Sequence, residues 1–215
     1  MLIDIYVQSR PFHRTHGVDA AMKVSKAQAQ ANRAHIVETA AVLFRERGYD
    51  GVSLADLMGA AGFTHGGFYK HFRSKADLMT EAAAVSFAQM QDRVQTNAAR
   101  AEREASVQQY LSRAHRDTPG EGCTFAALSA DAARQPEHVK QVFAEGIESL
   151  LAAAMQAVAE LGQDAQSEAR AARIDSMAQL VGAIMLSRAC PDDSPLADEI
   201  LEACRRAALA RLPQG

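Results

Sequence analysis

Tryptophan is absent from this chain of 215 residues, and proline (6), cysteine (3) and aromatic residues (6 %) are scarce. Valine, isoleucine and threonine together number 27, against 44 alanines. β-Branched residues favour strands and alanine is the best helix former, so this balance argues against a β-sandwich or barrel and for an all-α fold. The three cysteines, Cys123, Cys190 and Cys204, are far apart and lack CxxC spacing. That excludes a disulfide framework and fits a reducing, cytoplasmic setting. No apolar run approaches the ~20 residues of a membrane span; Ala82-Ala83-Ala84-Val85 is typical of what is there. The first ten residues carry Asp4 and no small-residue cleavage pattern, so a secretory signal is not expected. An excess of positive charge is missing too: the formal net charge is −3, which argues against a generally basic nucleic-acid coat protein.

What remains is a succession of amphipathic stretches. Residues 1–25 read as an N-terminal extension or a misassigned start, with a flexible arm as the alternative, because Pro11 and Gly17 interrupt any helical period. Ile36, Val37, Ala40, Leu43 and Phe44 then fall on one helical face that Gly48 ends. Ser53-Leu54-Ala55-Asp56 has the form of a capping box and opens a helix with Leu54, Leu57, Met58 and Ala61 on its apolar side. After Gly62, Thr64 caps a third short helix carrying Phe68 and Phe72. Ser74-Lys75-Ala76-Asp77 launches a long helix through Leu78, Ala82 and Val85 toward Met90 and Val94. Further helices are expected near residues 102–115 and 123–134. A long one runs from Val139 through Val158 and Leu161 to Gly162, and two more cover roughly 168–189 and 195–211. Two short helices joined at a tight turn containing Gly62 make a helix-turn-helix.

Charge divides along the same line. Residues 1–80 hold 10 Lys+Arg and 7 Asp+Glu, a net of +3; residues 81–215 hold 13 and 19, a net of −6. A basic first third on an acidic body is what one anionic partner at one end would favour. The face of the third short helix opposite Phe68 and Phe72 begins with Thr64, His65, Gly66 and Gly67 and continues through Tyr69, Lys70 and His71. It offers donors and small residues and no carboxylate, which suits a phosphate-lined groove. Two glycines weaken a helix by roughly 1 kcal/mol each, and closer backbone approach to DNA is a physical return for that loss.

Residues 33–81 resemble the DNA-binding domain of the TetR family of bacterial transcriptional regulators. The resemblance rests on Ile36 to Phe44, Arg47-Gly48-Tyr49, Ser53 to Leu57, and above all on Gly67 to Leu78, which fills every position of the family's Tyr-x-x-Phe-x-x-Lys-x-x-Leu core. It implies an N-terminal three-helix domain (26–80) joined by a helix to a C-terminal helical ligand-binding and dimerisation domain (81–215). It further implies that Thr64, His65, Gly66 and Gly67 face base edges or nearby phosphates. Tyr69 and His71 would bond phosphates, as would Lys75 at the start of the fourth helix; Ser53 would cap the second helix and share its backbone donors with a phosphate. Lys70 is either a DNA contact or simply solvated. The last two helices would pair with their copies in a homodimer, and their alanine-rich faces permit close approach; an internal core is the alternative.

The segment His115 to Leu128 resembles one branch of the family in which a Gly-Cys pair precedes a helix. Cys123 would sit at a helix N-terminus, whose dipole favours a thiolate, with His115 or Arg116 in support. It is expected either as a redox or electrophile sensor or as a small buried apolar residue. Phe125, Phe143, Ile147, Met155 and Met177 are candidates for an effector pocket or for ordinary core. No cofactor, metal or enzymatic activity is expected, because the seven histidines lack partners at ligand spacing and no nucleophile elbow or phosphate loop occurs. The expected function is a ligand-responsive repressor that leaves a palindromic operator when a small molecule binds or a cysteine is modified. The competing class is a helical small-molecule-binding protein with a vestigial helix-turn-helix.

Overall fold

A computed structural model describes residues 25–96, 100–156, 160 and 162–212, so the expected N-terminal extension lies almost wholly outside the described residues. Those residues form helices and turns, with no strand among them. Helix α1 (Lys26–Arg47) is capped by Ser25, whose hydroxyl accepts the Gln28 N–H at 3.1 Å. Its buried residues Ile36, Val37, Ala40, Ala41 and Phe44 recur at three- and four-residue spacing, the period of one helix face. Gly48 ends it at φ 74° and ψ 168°, a conformation that costs a residue with a side chain about 1–3 kcal/mol. Helix α2 (Leu54–Ala60) opens on a complete capping box: the Asp56 N–H donates to Ser53 Oγ at 3.1 Å and the Ser53 N–H donates to Asp56 Oδ2 at 3.2 Å.

Gly62, at φ 79°, turns the chain into the third short helix. This is a 3₁₀-helix, η1 (His65–Lys70), and Thr64 makes no side-chain cap to it, contrary to the sequence expectation. Gly66 and Gly67 at its start are poor helix formers, and a six-residue segment held mainly by its aromatic anchors settles into the tighter, shorter winding. Helix α3 (Lys75–Thr96) starts with Ser74 Oγ accepting the Asp77 N–H at 3.0 Å.

The body continues with α4 (Arg100–Tyr110), α5 (Arg113–Asp117), a 3₁₀ turn η2 (Pro119–Glu121), α6 (Thr124–Ala132), α7 (Glu137–Met155), α8 (Gln163–Ala189) and α9 (Pro195–Ala210). The single helix expected over 102–115 is broken at Leu111-Ser112. Leu111 is fully buried there, and Ser112 Oγ restarts the helix by accepting the His115 N–H at 3.2 Å. Helix α7 stops at Met155 rather than at Gly162; Val158 and Leu161 lie outside the described residues. Helix α3 packs on α1 at one end and on α7 along the other, and α8 packs with α9. The α3–α7 approach is close because position 146 is glycine: a Cβ there would stand 2.4 Å from the Phe87 ring.

A boundary at residue 80 falls inside α3, and the hydrophobic core runs unbroken across it from Phe44 and Tyr49 to Phe87, Phe125 and Leu128. Polar contacts also tie the end of α1 to the body. Arg45 Nε donates to the Gly120 carbonyl at 2.8 Å, and Asp131 Oδ2 accepts the Tyr49 N–H at 2.9 Å. Two glycines make room for side chains across this junction. A Cβ on Gly48 would meet Asp131 Oδ2 at 2.5 Å, and one on Gly120 would meet Glu46 Oε1 at 2.7 Å.

Candidate nucleic-acid interface

Phe68 and Phe72 anchor η1: both rings are buried, with centroids 5.5 Å apart. Fixing two aromatic residues on one side turns the rest of the segment outward. Thr64, His65, Gly66 and Lys70 are exposed, Tyr69 is 66 % exposed, and Gly67 and His71 are half-buried. Tyr69 stands edge-on against Phe68, at 5.2 Å and 90°, so its hydroxyl projects into solvent from a braced ring. Gly66 is the informative glycine on this face, because a Cβ there would meet nothing within 4 Å. Among the described residues, internal packing gives no reason for a glycine at that position.

Two expected phosphate contacts are arranged differently. The Ser53 N–H and hydroxyl both donate to the Asp56 carboxylate, so Ser53 offers its donors to its own capping box instead of a phosphate. Lys75 turns inward: its Nζ donates to the carbonyls of Tyr49 and, at 2.6 Å, Val52, the loop between α1 and α2. Burial pushes the ammonium pKa below its usual value, with nearby Asp50 acting the other way. An ammonium has three donors, so one remains for a ligand while two hold the loop.

Arg33 lies behind this face, at the end of η1, and was not among the residues expected from the sequence. From α1 it forms a bidentate ion pair with Glu81 of α3, donates through Nε to the His71 carbonyl at 3.3 Å, and lies over the Phe72 ring at 4.7 Å. A signal was present. Arg33 continues the stripe of Val37, Ala40 and Phe44 by one turn, and Glu81 adjoins Leu78 and Ala82. Opposite charges at the ends of two buried stripes are placed to meet.

In the body, Cys123 is the N-cap residue of α6 and is buried. Its N–H donates to His115 Nε2 at 3.0 Å, and His115 Nδ1 lies 2.7 Å from the Tyr110 carbonyl, which fixes the Nδ1–H tautomer. Burial lowers the His115 pKa; the Tyr110 carbonyl opposes this, and Arg188 adds to it. Two guanidiniums lie near Cys123, those of Arg45 and Arg188, and Arg188 also donates to the carbonyls of Arg116 and His115. Arg116 itself points elsewhere, onto the Ser187 and Cys190 carbonyls, Asp117 and Asp192. Cys204 packs against the core and Cys190 lies at the C-cap of α8.

The five candidate effector residues differ in exposure. Phe125 stacks on Phe87 at 4.5 Å and Phe143 meets the same ring edge-on at 5.1 Å, a closed aromatic cluster. Ile147 is exposed, and Met155 and Met177 are half-buried. Among the described residues no His/Cys/Asp/Glu group could hold a metal ion, and no helix is long and apolar enough to cross a membrane.

Residues 36–82 match the sequence family described as bacterial regulatory proteins, tetR family. The chain is 42 % identical over 57 residues to the HTH-type transcriptional regulator AcrR of Shigella flexneri, covering 26 % of each protein. It is 30 % identical over 105 residues to the HTH-type transcriptional repressor DhaR of Mycobacterium sp. (strain GP1), covering 46 % of this chain and 51 % of that one. These matches span between a quarter and a half of the relatives' length. Among solved structures, the reduced form of E. coli NemR superposes with a TM-score of 0.68 at 21 % identity, over 86 % of this chain and 100 % of the other. A TetR-family transcriptional regulator from Agrobacterium tumefaciens gives 0.65 at 22 % identity, over 86 % and 98 %. At these identities the structural likeness is one of fold.

Proposed function

From the premise that this chain belongs to the TetR family of bacterial regulatory proteins, we propose that it is a ligand-responsive, DNA-binding transcriptional regulator. It acts as a repressor on a palindromic operator. The observation that carries this is the outward face of η1, where Thr64, His65, Gly66, Tyr69 and Lys70 are exposed around a buried Phe68–Phe72 anchor. Thr64, His65, Gly66 and Gly67 meet base edges or the adjoining backbone, and Tyr69, Lys70, His71 and the third proton of Lys75 meet phosphates. The naming of DhaR as a transcriptional repressor supports the sign of the regulation.

A single short reader buries little surface on DNA, and two related by a two-fold axis read a palindrome. Helices α8 and α9 supply the dimer contact in this proposal. Ile174 and Met185 of α8, eleven residues or about three turns apart, share one face and are 44 % and 36 % exposed; Leu196 of α9 is 52 % exposed. The dimer holds its two η1 segments one DNA turn apart, about 34–36 Å. An effector in the body, or modification of Cys123, favours a second arrangement in which that spacing is lost. Phe125, Phe143, Ile147, Met155 and Met177 remain the residues we assign to effector sensing, and the buried position of Cys123 requires local opening before a reagent reaches it. A differential affinity of a few kcal/mol between the two states suffices for release.

The test is an equilibrium titration of the protein against duplex DNA from its gene's upstream region at several salt concentrations. The proposal expects specific binding whose logarithm falls linearly with the logarithm of salt. A protein that binds no duplex, or binds it without salt dependence, is not this regulator.

A further inference from the structure

We infer that Arg33 is a positioning residue for DNA recognition: from α1 it sets the orientation of η1 without touching DNA. The inference rests on the proposed DNA-binding function and adds to it a residue outside the reading face.

On its own η1 is a weak element. It is a 3₁₀-helix of six residues with glycines at its second and third positions, and Thr64 gives it no side-chain cap. Such a segment has little stiffness, so its direction is set by what grips its ends. At the leading end the grip is the turn, where the Phe63 N–H donates to the Met58 carbonyl at 2.8 Å and the Gly67 N–H to the Thr64 carbonyl at 2.9 Å. At the trailing end the His71 and Phe72 N–H groups close back on the Phe68 carbonyl at 2.9 and 3.0 Å. Beyond that point the outside polar tie is Arg33, whose Nε–H donates to the carbonyl of His71, the C-cap residue of η1.

The guanidinium is suited to that task. It is planar, and its three kinds of contact lie in different directions: the His71 carbonyl, the face of Phe72, and the two carboxylate oxygens of Glu81. Arg33 is thereby locked to α3 by a fork, and through it α3, α1 and the end of η1 share one joint. A lysine cannot reproduce the fork and the sideways Nε–H together. The ion pair also neutralises Arg33 locally, so its charge is directed at Glu81 and not at a phosphate. A salt titration separates this role from a direct phosphate contact. A lost phosphate contact lowers the salt slope by about one, whereas loss of positioning leaves the slope unchanged and lowers affinity for the cognate site more than for random DNA.

The experiment uses the full-length protein, an upstream duplex that the wild type binds specifically, and a random duplex of the same length. Variants are Arg33→Lys, Arg33→Met and the reversed pair Arg33→Glu with Glu81→Arg. Each is checked by circular dichroism and thermal melting. The expected result is an affinity for the specific duplex lowered about tenfold in both single variants, with an unchanged salt slope and random-duplex affinity within about twofold. The reversed pair is expected to restore the melting temperature without restoring specific affinity, because a guanidinium on α3 approaches from the wrong side for the His71 carbonyl. A salt slope reduced by about one makes Arg33 a phosphate contact and overturns the inference. So does equal loss on both duplexes, or full recovery of specific binding by the reversed pair, either of which makes the residue merely structural. If Arg33→Met does not fold, Arg33→Lys, which keeps the charge, decides by the ratio of specific to random affinity: a loss confined to the specific duplex supports the inference, and an equal loss on both overturns it. A wild type that binds no duplex sinks the proposed function itself, an outcome distinct from wild-type binding that Arg33 variants leave unaltered.

Discussion

His115 shows how a single residue links chemistry to conformation in the body. Its Nε2 accepts the Cys123 N–H and its Nδ1–H donates to the Tyr110 carbonyl, so only the neutral ring fits both partners. Burial, with Arg188 nearby, holds its pKa below the ordinary value of 6.5. The unfolded chain therefore takes up a proton at higher pH than the folded one. The stability this residue contributes is fully present above about 6.5, declines as the pH drops below it, and is lost once the lowered folded pKa is passed. Urea unfolding at a series of pH values between 8 and 5 is expected to show that decline, and His115→Gln to show a shallower one. An identical pH profile in the variant assigns the decline to other groups.

Individual helices were legible in the sequence wherever their determinants are local. The pairs Ser53/Asp56 and Ser74/Asp77 lie three residues apart and mark the starts of α2 and α3, and both act as written. The stripe Ile36 to Phe44 foretold the buried side of α1, and Phe68 and Phe72 the anchor of η1. What was not legible depends on partners distant in sequence. Lys75 bonds a carbonyl 26 residues away, Arg33 one 38 residues away, and Arg45 one 75 residues away. No period or motif announces such a meeting, so Lys75 was expected to face phosphate alone and the other two were passed over. The winding of η1 and the break at Leu111-Ser112 escaped for a related reason: a weak local preference yields to packing.

Gly146 offers the sharpest element-scale prediction, because propensity and packing disagree there. Alanine is favoured over glycine inside a helix by roughly 1 kcal/mol. Yet its Cβ at position 146 would stand 2.4 Å from Phe87, whose ring is itself wedged between Phe125 and Phe143. Overpacking a filled core costs about 1–3 kcal/mol, so the prediction is net destabilisation of up to about 2 kcal/mol in chemical denaturation. A more stable Gly146→Ala variant means that α3 and α7 are not pressed together at this point.

At the scale of the molecule, the basic first third and the acidic body are joined by more than the continuous helix α3. The end of α1 grips the body on both sides of α6: Arg45 on the turn before it, Asp131 in its last turn. Motion in the body thus has two routes to η1, through α3 and through the end of α1. The second whole-molecule feature is the exposed apolar side of α8. Met185→Glu places a charge on that side, and loss of a central interface contact is worth about 2 kcal/mol or more. Sedimentation equilibrium is expected to show the dissociation constant of the proposed dimer raised about thirtyfold or more, with the monomer still helical. An unchanged dimer puts the contact elsewhere.

The central claim is that the outward face of η1 meets DNA, and Gly66 tests it most directly because, among the described residues, nothing lies where its Cβ would stand. Gly66→Ala should leave the fold intact, or stabilise it by about 0.4–1 kcal/mol in chemical denaturation. The same preparation should bind the specific duplex at least about tenfold more weakly than the wild type by fluorescence anisotropy. That pairing of undiminished stability with lost affinity is the predicted result. A Gly66→Ala protein that binds the duplex as tightly as the wild type contradicts the account, because η1 would then not approach DNA through this face.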